Sequence, residues 1–287
     1  MKVDLLCRGY GLIEGPVWDP ARGLYFSDVL GGGVFLVDRK GVVSTVFEHR
    51  RGIGGMALHV AGGLVVSGRN VSFKPFGDGE TKLILDRDPD GGNVGYNDLT
   101  TDAAGRIYVG SLGSSPVFQD GLPPRAGDLW MVDLDGSSKI VAPDVRLTNG
   151  LGFAPDGKTL YHSDSRRQCV FRYPVKADGT LGSRATFVEL KSGVPDGLVV
   201  STDGAVWVAV AAGGKGVRVF DASGREKDFV EIPDPQCTSV CFGGDDLKDL
   251  YIVSGSEGGG SEKSGAVYRA RVGVAGVPVA PARVRLK

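Results

Sequence analysis

The stretch Asn149-Gly-Leu-Gly-Phe-Ala-Pro-Asp-Gly-Lys-Thr-Leu-Tyr-His-Ser-Asp164 predicts two antiparallel strands joined by a tight turn. Leu151 and Phe153 alternate with small residues, which is typical of a half-buried strand. The Pro-Asp-Gly sequence at 155–157 favours a turn, because proline presets φ and glycine accepts a positive φ. The second strand begins at Thr159, and Asn149 stands alone at the head of the first strand.

The same strand–turn–strand pattern occurs six times along the chain. The residue equivalent to Asn149 in each copy is called here the head position. The head positions hold Glu14, Gly54, Asn97, Asn149, Asp196 and Thr238. They recur every 40 to 52 residues, and each copy is followed by a third strand pattern and a weaker fourth. Such a period with four strands per unit is the signature of a β-propeller. We therefore expect one all-β domain over 1–287, a six-bladed β-propeller with four-stranded antiparallel blades.

Two further features refine this expected architecture. The longest interval between copies contains a segment at 113–127 that is rich in serine, proline and glycine, which indicates a loop inserted on one face. Strand patterns also occur near both ends, at 3–6 and at 282–286. We expect both end segments to share the last blade and to close the ring.

The composition limits the classes of partner and compartment. With a net charge of −1, nothing in the chain favours nucleic acid or an anionic membrane as partner. No charged-then-apolar leader and no apolar run long enough to span a bilayer is present in the sequence. Four cysteines without CxxC spacing favour a reduced, cytoplasmic protein. We expect a monomer or weak dimer.

Four head positions carry side-chain oxygens, namely Glu14, Asn97, Asn149 and Asp196. Ring closure should bring these positions together near the mouth of the central channel. Carboxylate and amide oxygens suit a hard divalent ion such as Ca²⁺, Mg²⁺ or Mn²⁺, and such an ion would offset the repulsion between two axial carboxylates. Taken singly, each residue could equally be a turn cap or a solvated loop charge. Their occurrence in register across four copies favours a ligand set.

Other polar or reactive residues are expected to have structural roles. Only three histidines occur, which argues against a histidine-rich metal site and limits the scope for Ser-His-Asp chemistry. His162 and Trp207 fall in second strands and are expected to pack in the core. We expect Cys169, Cys237 and Cys241 to pack as small apolar groups.

Several motifs resemble the senescence-marker-protein/gluconolactonase/luciferin-regenerating-enzyme-like family. They are Glu14-Gly-Pro-Val-Trp18, Asn97-Asp98, Thr148-Asn-Gly-Leu-Gly-Phe153 and Pro195-Asp-Gly197. The resemblance covers nearly the whole chain and implies a six-bladed propeller with one axial divalent metal. It implies that Glu14, Asn149 and Asp196 ligate this metal and that Asn97 faces its water or the substrate. By the same resemblance the activity is hydrolysis of a lactone, and a diisopropylfluorophosphatase-like phosphotriesterase is the more distant alternative.

The sequence also departs from that family's pattern. Sugar-lactone members often carry an arginine shortly before the Asn-Asp pair, whereas here Gly95-Tyr96 precedes Asn97. Tyr96 and the loop at 113–127 are expected to shape the pocket mouth, and Arg125 is a candidate substrate-binding cation. The metal is expected to be Ca²⁺, with Zn²⁺, Mn²⁺, Mg²⁺ or Fe²⁺ as alternatives.

The expected mechanism has a divalent ion polarising the lactone carbonyl. Asp196 would be both a ligand and the general base, and Asn97 would orient substrate or water. A non-catalytic metal-binding scaffold remains a further possibility, because fold does not determine function.

Overall fold

The computed structural model of the chain describes residues 1–48, 50–114 and 125–286. Strands dominate these residues, and the one helical element among them is a 3₁₀ turn at Ser165–Arg167. The strands form six four-stranded antiparallel sheets, which confirms the expected six-bladed all-β propeller. Within this described part of the chain, no helix has the length and apolar character needed to cross a bilayer.

The first three blades are each built from four consecutive strands. Blade one contains β2 (Ile13–Asp19), β3 (Gly23–Asp28), β4 (Val34–Asp38) and β5 (Val43–Phe47). Blade two contains β6 (Met56–His59), β7 (Gly63–Val66), β8 (Val71–Pro75) and β9 (Lys82–Leu85). Blade three contains β10 (Gly95–Thr101), β11 (Ile107–Leu112), β12 (Gly127–Val132) and β13 (Ser138–Val145). The first strand of each blade lies innermost, against the first strands of neighbouring blades.

The remaining blades continue the pattern, and the last one closes the ring. Blade four contains β14 (Thr148–Phe153), β15 (Thr159–Asp164), β16 (Cys169–Pro174) and β17 (Ala185–Glu189). Blade five contains β18 (Val194–Val200), β19 (Val206–Ala211), β20 (Gly216–Phe220) and β21 (Glu226–Glu231). Blade six joins β22 (Cys237–Gly243), β23 (Asp249–Ser254) and β24 (Gly265–Arg271) to the N-terminal strand β1 (Val3–Tyr10). The outer strand of this blade therefore comes from the other end of the chain.

The C-terminal segment does not share the last blade, so this part of the prediction is wrong. After β24 the chain crosses the face opposite the head positions, and the backbone nitrogen of Val277 donates to the carbonyl of Val200. Further along, the Ala282 nitrogen donates to the carbonyl of Leu58 in blade two at 2.7 Å. Pro278 and Pro281 interrupt the segment, and proline cannot donate in a sheet ladder. The edge of β24 is therefore left to β1, whose residues pair with it.

Apolar side chains pack between neighbouring blades. Trp207 of blade five meets Phe242 of blade six edge-on, with ring centroids 5.5 Å apart. The indole nitrogen of Trp207 donates to the Ser201 hydroxyl at 2.9 Å. His162 is fully buried, with its Nε2 3.1 Å from the Thr148 hydroxyl, and burial lowers its pKa to about 4. These contacts confirm that His162 and Trp207 are packing residues. The expected packing of the three cysteines is also confirmed, because all three are buried and free.

Glycine follows several head positions, and at these glycines the neighbouring inner strands lie too close together to leave room for a side chain. A Cβ atom on Gly150 would overlap the backbone nitrogen of Leu198 and lie 2.5 Å from the carbonyl carbon of Gly197. On Gly55 a Cβ would similarly overlap the backbone nitrogen of Leu99. Because these neighbours are backbone atoms, they cannot move aside without shifting a whole strand. Glycine therefore allows the inner strands to converge on the axis.

Gly150→Ala is expected to lower the free energy of unfolding by about 1–3 kcal/mol or more, as over-packing does in tightly packed interiors. Gly260→Ala is the matched control, because a Cβ there has no neighbour within 4 Å. The control should stay within about 0.5 kcal/mol of the unmodified protein. Urea unfolding monitored by tryptophan fluorescence measures both variants. Equal stability of the two variants would contradict the proposed role of Gly150.

The central channel continues below the head positions as a cavity of about 290 Å³. Residues from all six inner strands line it, and most are apolar. Val277–Pro281 of the C-terminal segment also lines this cavity, at the face opposite the head positions. The head positions therefore lie at one end of a mostly apolar channel.

Candidate active site

A break in strand pairing occurs at the head of most inner strands. Cross-strand pairing shifts register between Glu14 and Val17 in blade one. The same shift occurs between Thr148 and Leu151 in blade four and between Pro195 and Leu198 in blade five. Such bulges redirect a side chain out of the regular alternation. The head residues of these blades thus leave the ladder at the end where the strands converge.

Electrostatic repulsion between blades indicates that the carboxylates at or beside the head positions lie close together near the axis. Asp196 of blade five and Asp98 of blade three both raise the pKa of Glu14 in blade one. Blades one, three and five are not adjacent, so their side chains can approach one another only through the centre. Glu14 and Asp196 are nearly buried, at 8% and 7% exposure.

The amide head residues contact each other directly. The Nδ2 of Asn97 donates to Oδ1 of Asn149 and to the carbonyl oxygen of Thr148, both at 2.8 Å. The Oδ1 of Asn97 extends towards the second blade, where a Cβ on Gly54 would overlap it. A side chain at Gly54 would therefore displace the Asn97 amide. The remaining head residue, Thr238, donates its hydroxyl to the carbonyl oxygen of Ile13 at 2.6 Å.

A buried serine orients Asn149. The Ser165 hydroxyl donates to the carbonyl oxygen of Pro195 at 2.6 Å. Its one proton is thereby used, so it can only accept from Asn149, whose Nδ2 donates to it at 2.7 Å. The amide nitrogen of Asn149 must then face Ser165, and its oxygen must face Asn97. Ser165 also ties the strand of Asn149 to the residue preceding Asp196.

Three carboxylates form the acidic centre of the site: Glu14 and Asp196 are buried, and Asp98 is half-buried. Burial raises the pKa of Glu14 and of Asp196 well above their usual values, and repulsion between the carboxylates adds to the effect. Burial raises the pKa of Asp98 to about 7, although the backbone nitrogen of Leu99 donates to this carboxylate. No cationic side chain contributes to the shift of any of the three. Their negative charge is therefore uncompensated by the described protein groups.

Asp98 is the residue that sequence reasoning missed. It follows the head position Asn97, where four other copies have glycine, namely Gly15, Gly55, Gly150 and Gly197. Asp98 also lines the channel cavity immediately below the head positions. A carboxylate replacing a glycine at a repeated position was the signal that could have identified it.

The donor set fits a hard divalent cation. One oxygen of Asp196, Oδ1, is buried without a hydrogen-bond partner, although buried acceptors are normally satisfied. Among the described residues, no three His, Cys, Asp or Glu side chains lie close enough to hold an ion by themselves. An ion would therefore need an amide oxygen besides the carboxylates of Glu14 and Asp196, and Asn149 is oriented to offer one. Such all-oxygen sets suit hard divalent ions such as Ca²⁺, Mg²⁺ or Mn²⁺.

Two residues predicted to contact substrate have different surroundings. Tyr96 is almost fully buried, and its hydroxyl donates to the carbonyl of Asp86 at 2.7 Å and accepts from Asn93. The structure therefore does not support Tyr96 as a substrate contact, because its side chain packs on the blade interior. Arg125 is exposed, and its guanidinium lies near Gly92. The rest of the expected loop at the mouth, 115–124, lies outside the described residues.

Ser165→Ala should weaken divalent-metal affinity about 10-fold or more, because partners that orient a ligand typically contribute this much. Ser201→Ala is the matched control, since its buried hydroxyl also makes hydrogen bonds but lies at the far end of the inner strand. Both variants should lose some stability, but only Ser165→Ala should lose metal affinity. Calorimetric titration with Ca²⁺ measures the difference. Equal affinities would show that Ser165 does not orient a ligand.

Comparison with known proteins places this site in a wider group. The chain is 34% identical to a 6-deoxy-6-sulfogluconolactonase of Pseudomonas putida, over 92% of each chain. It is 31% identical to a pentonolactonase of Haloferax volcanii, over 99% of this chain and 98% of the relative. Among solved structures, a luciferin-regenerating enzyme superposes with a TM-score of 0.84 at 26% identity, covering 97% of this chain and 99% of that one.

The family model for the SMP-30/Gluconolactonase/LRE-like region matches residues 12–256. This range begins just before Glu14 and contains all six head positions. The resemblance inferred from the short motifs is therefore confirmed. By this match, and by its identity of more than 30% to the two lactonases above, the chain belongs to the SMP-30/gluconolactonase/LRE-like family.

Proposed function

We propose that this protein is a metal-dependent lactonase whose active site is the ring of head residues at the channel mouth. The observation that supports this proposal is the set of buried, uncompensated carboxylates beside two oriented amides. A binding scaffold has no need of such a costly arrangement. The relatives named as lactonases support lactone hydrolysis as the reaction.

Glu14, Asn149 and Asp196 would hold the divalent ion, which we propose to be Ca²⁺. When bound, such an ion supplies Lewis-acid polarisation of a carbonyl and neutralises the buried carboxylates. Glu14 contributes formal charge, and Asn149 contributes an amide oxygen oriented through Ser165. The mostly apolar channel wall below the site lowers the effective dielectric around the buried carboxylates.

Asp196 would also act as the general base. The Oδ1 of Asp196 is buried without a hydrogen-bond partner, so this oxygen is free to accept a proton. Asp196 would take the proton of the attacking water at its carboxylate, while Asn97 orients water or substrate by hydrogen bonds. Ring opening then needs a proton on the leaving alkoxide, and the protonated Asp196 can return it.

The substrate class follows from the relatives and from the site. Both curated relatives are named for sugar-derived lactones, which favours a small hydroxylated lactone for this chain. The arginine that often precedes the Asn-Asp pair is absent, so other residues would have to grip the substrate. Arg125 at the rim remains a candidate for that role.

We propose that the protein is a monomer or weak dimer in the cytoplasm.

The decisive experiment compares hydrolysis of sugar lactones and phosphate triesters after chelation and after return of Ca²⁺, Mn²⁺, Zn²⁺ or Mg²⁺. Lactone hydrolysis that is lost on chelation and restored by a divalent ion is the expected result. Faster triester hydrolysis would instead favour a phosphotriesterase. Metal binding without turnover of either class would favour a scaffold.

A further inference from the structure

Arg50 lies at the channel-mouth end of the propeller without an acidic partner. It belongs to the connection between β5 and β6, four residues before the head position Gly54. Its backbone carbonyl accepts from the Gly33 nitrogen, which ties the connection to blade one. The side chain is half-buried, and burial lowers its pKa. A guanidinium in this state has lost part of its hydration.

Asn70 holds one end of this guanidinium. The Nη2 of Arg50 donates to Oδ1 of Asn70 at 3.0 Å and approaches the Asn70 carbonyl at 3.4 Å. The Ser72 hydroxyl also donates to the same Oδ1, at 2.8 Å, which orients the amide. Asn70 lies in the turn between β7 and β8, at the same end as Ser67, which accepts from Gly54. The arginine is thus fixed at the level of the head positions.

The other donors of Arg50 have no counterpart in the protein. Among residues 1–48, 50–114 and 125–286, no carboxylate lies within ion-pairing distance of Arg50, and its Nε and Nη1 make no hydrogen bond. Neither nitrogen is buried without a partner, so both remain open to solvent. A second cation, Lys74, lies nearby. Burial lowers the pKa of Lys74, and repulsion from Arg50 lowers it further. This part of the rim therefore presents donors and positive charge that are not neutralised.

The arginine is close enough to the head residues to reach a substrate there. Its Nη2 would lie 3.9 Å from a Cβ on Gly68, and the Gly68 carbonyl accepts from the Tyr96 nitrogen at 2.7 Å. Tyr96 immediately precedes Asn97 in β10. The guanidinium is therefore separated from the strand of Asn97 by its contact with Gly68 and by one strand spacing, roughly 10 Å in all. A six-carbon sugar lactone together with one hydrogen bond to the guanidinium spans a comparable length.

The geometry points to a subsite in which the guanidinium donors of Arg50 that Asn70 leaves free bind an oxyanion carried by the lactone substrate, distal to its ring carbonyl. This inference rests on the proposed lactonase function. A carboxylate, a sulfonate and a phosphate share the required chemistry, since each offers two oxygens to the guanidinium fork. The subsite would select lactones bearing such a group over neutral ones.

Two lactones that differ only at C6 test the subsite. D-glucaro-1,4-lactone carries a carboxylate where D-glucono-1,4-lactone carries a hydroxymethyl group. The unmodified protein should show at least about tenfold higher kcat/KM for the glucaro compound, the size expected of one charge-assisted hydrogen-bond pair. Arg50→Gln should abolish this preference through KM of the anionic lactone and leave the neutral lactone within about twofold. Arg50→Lys should keep part of the preference, because it retains the charge without the fork.

Arg51→Gln is the matched control, because Arg51 is exposed and adjacent in sequence. Arg51→Gln removes the same charge as Arg50→Gln. If Arg51→Gln keeps the preference for the anionic lactone, the preference comes from a local contact with Arg50 and not from general electrostatic attraction. Thermal melting of each variant checks that it is folded. An equal loss on both lactones in Arg50→Gln, or no preference in the unmodified protein, would overturn the subsite.

Binding of the open-chain products separates this inference from the proposed function. Calorimetry with D-glucarate and D-gluconate needs no turnover, and tighter, Arg50-dependent binding of glucarate is expected. If neither lactone is hydrolysed but this difference persists, the subsite stands and the lactonase proposal fails. If both lactones are hydrolysed and Arg50→Gln changes nothing, the lactonase proposal stands and the subsite fails.

Discussion

Asp196→Asn is expected to lower kcat for lactone hydrolysis by about 10²–10⁴, the usual size of a general-base contribution. The substitution keeps an oxygen and the size of the side chain but removes the group that accepts the proton. Asp196 is buried, and its Oδ1 has no hydrogen-bond partner among the described residues. This oxygen is therefore free to accept a proton. The assay is run at saturating metal so that lost occupancy does not imitate lost chemistry.

Asn97→Ala serves as the comparison for this variant. Asn97 donates to Asn149 and to the Thr148 carbonyl, so its removal takes away orientation rather than proton transfer. Its loss in kcat should be smaller and should appear partly in KM. Should Asp196→Asn keep near-full kcat at saturating metal, another group must be the base and Asp196 is a ligand only.

Glu14→Gln is expected to change metal affinity and metal-free stability in opposite directions. Removing one formal charge should weaken Ca²⁺ binding by about 10-fold or more. Loss of a residue that only orients a ligand typically weakens binding by this much, and loss of a charged ligand should weaken it at least as much. In the metal-free protein the same change removes a buried carboxylate whose pKa is raised by burial and by Asp196 and Asp98. The variant should therefore be the more stable of the two without metal at neutral pH.

The pH dependence of stability follows from the direction of that shift. A carboxylate with a raised folded-state pKa destabilises the fold progressively as pH rises above its ordinary value of 4.5 towards the raised value. Metal-free unmodified protein should lose stability over this range, and Glu14→Gln should lose less. Glu189→Gln, at an exposed position on an outer strand, is the charge-matched control and should change neither property. Unfolding in urea at several pH values, with chelator and with Ca²⁺, measures both effects. Unchanged metal affinity in Glu14→Gln would show that Glu14 is not a ligand.

Local patterns in the sequence were sufficient to predict the blades. Alternating apolar residues and turn pairs such as Asp156-Gly157 act over a few residues, and the backbone nitrogen of Gly157 closes that turn on the Ala154 carbonyl. Their sixfold repetition indicated the ring, because one blade cannot bury both of its faces alone. The family assignment followed from the same repeats, since its motifs lie at the head positions.

Two expectations failed where position in the chain did not fix position in the fold. Tyr96 precedes a head residue and was expected at the mouth, but it pairs with Ser111 and its side chain packs in the blade interior. The C-terminal segment has a strand-like pattern, yet its prolines and the competing strand β1 exclude it from the last blade. Both outcomes depend on pairing between residues distant in sequence, which local propensity does not encode.

Periodic patterns along the chain were therefore enough to predict the number of blades, their strands and the register that aligns Glu14, Asn97, Asn149 and Asp196. Which groups surround these residues depends on contacts that form when the ring closes. Asp98 enters the acidic centre and Ser165 orients Asn149 because ring closure brings different blades within a few ångströms of one axis. Periodicity is a property of each repeat alone, whereas pKa shifts, buried hydrogen bonds and unpaired charges arise from contacts between repeats.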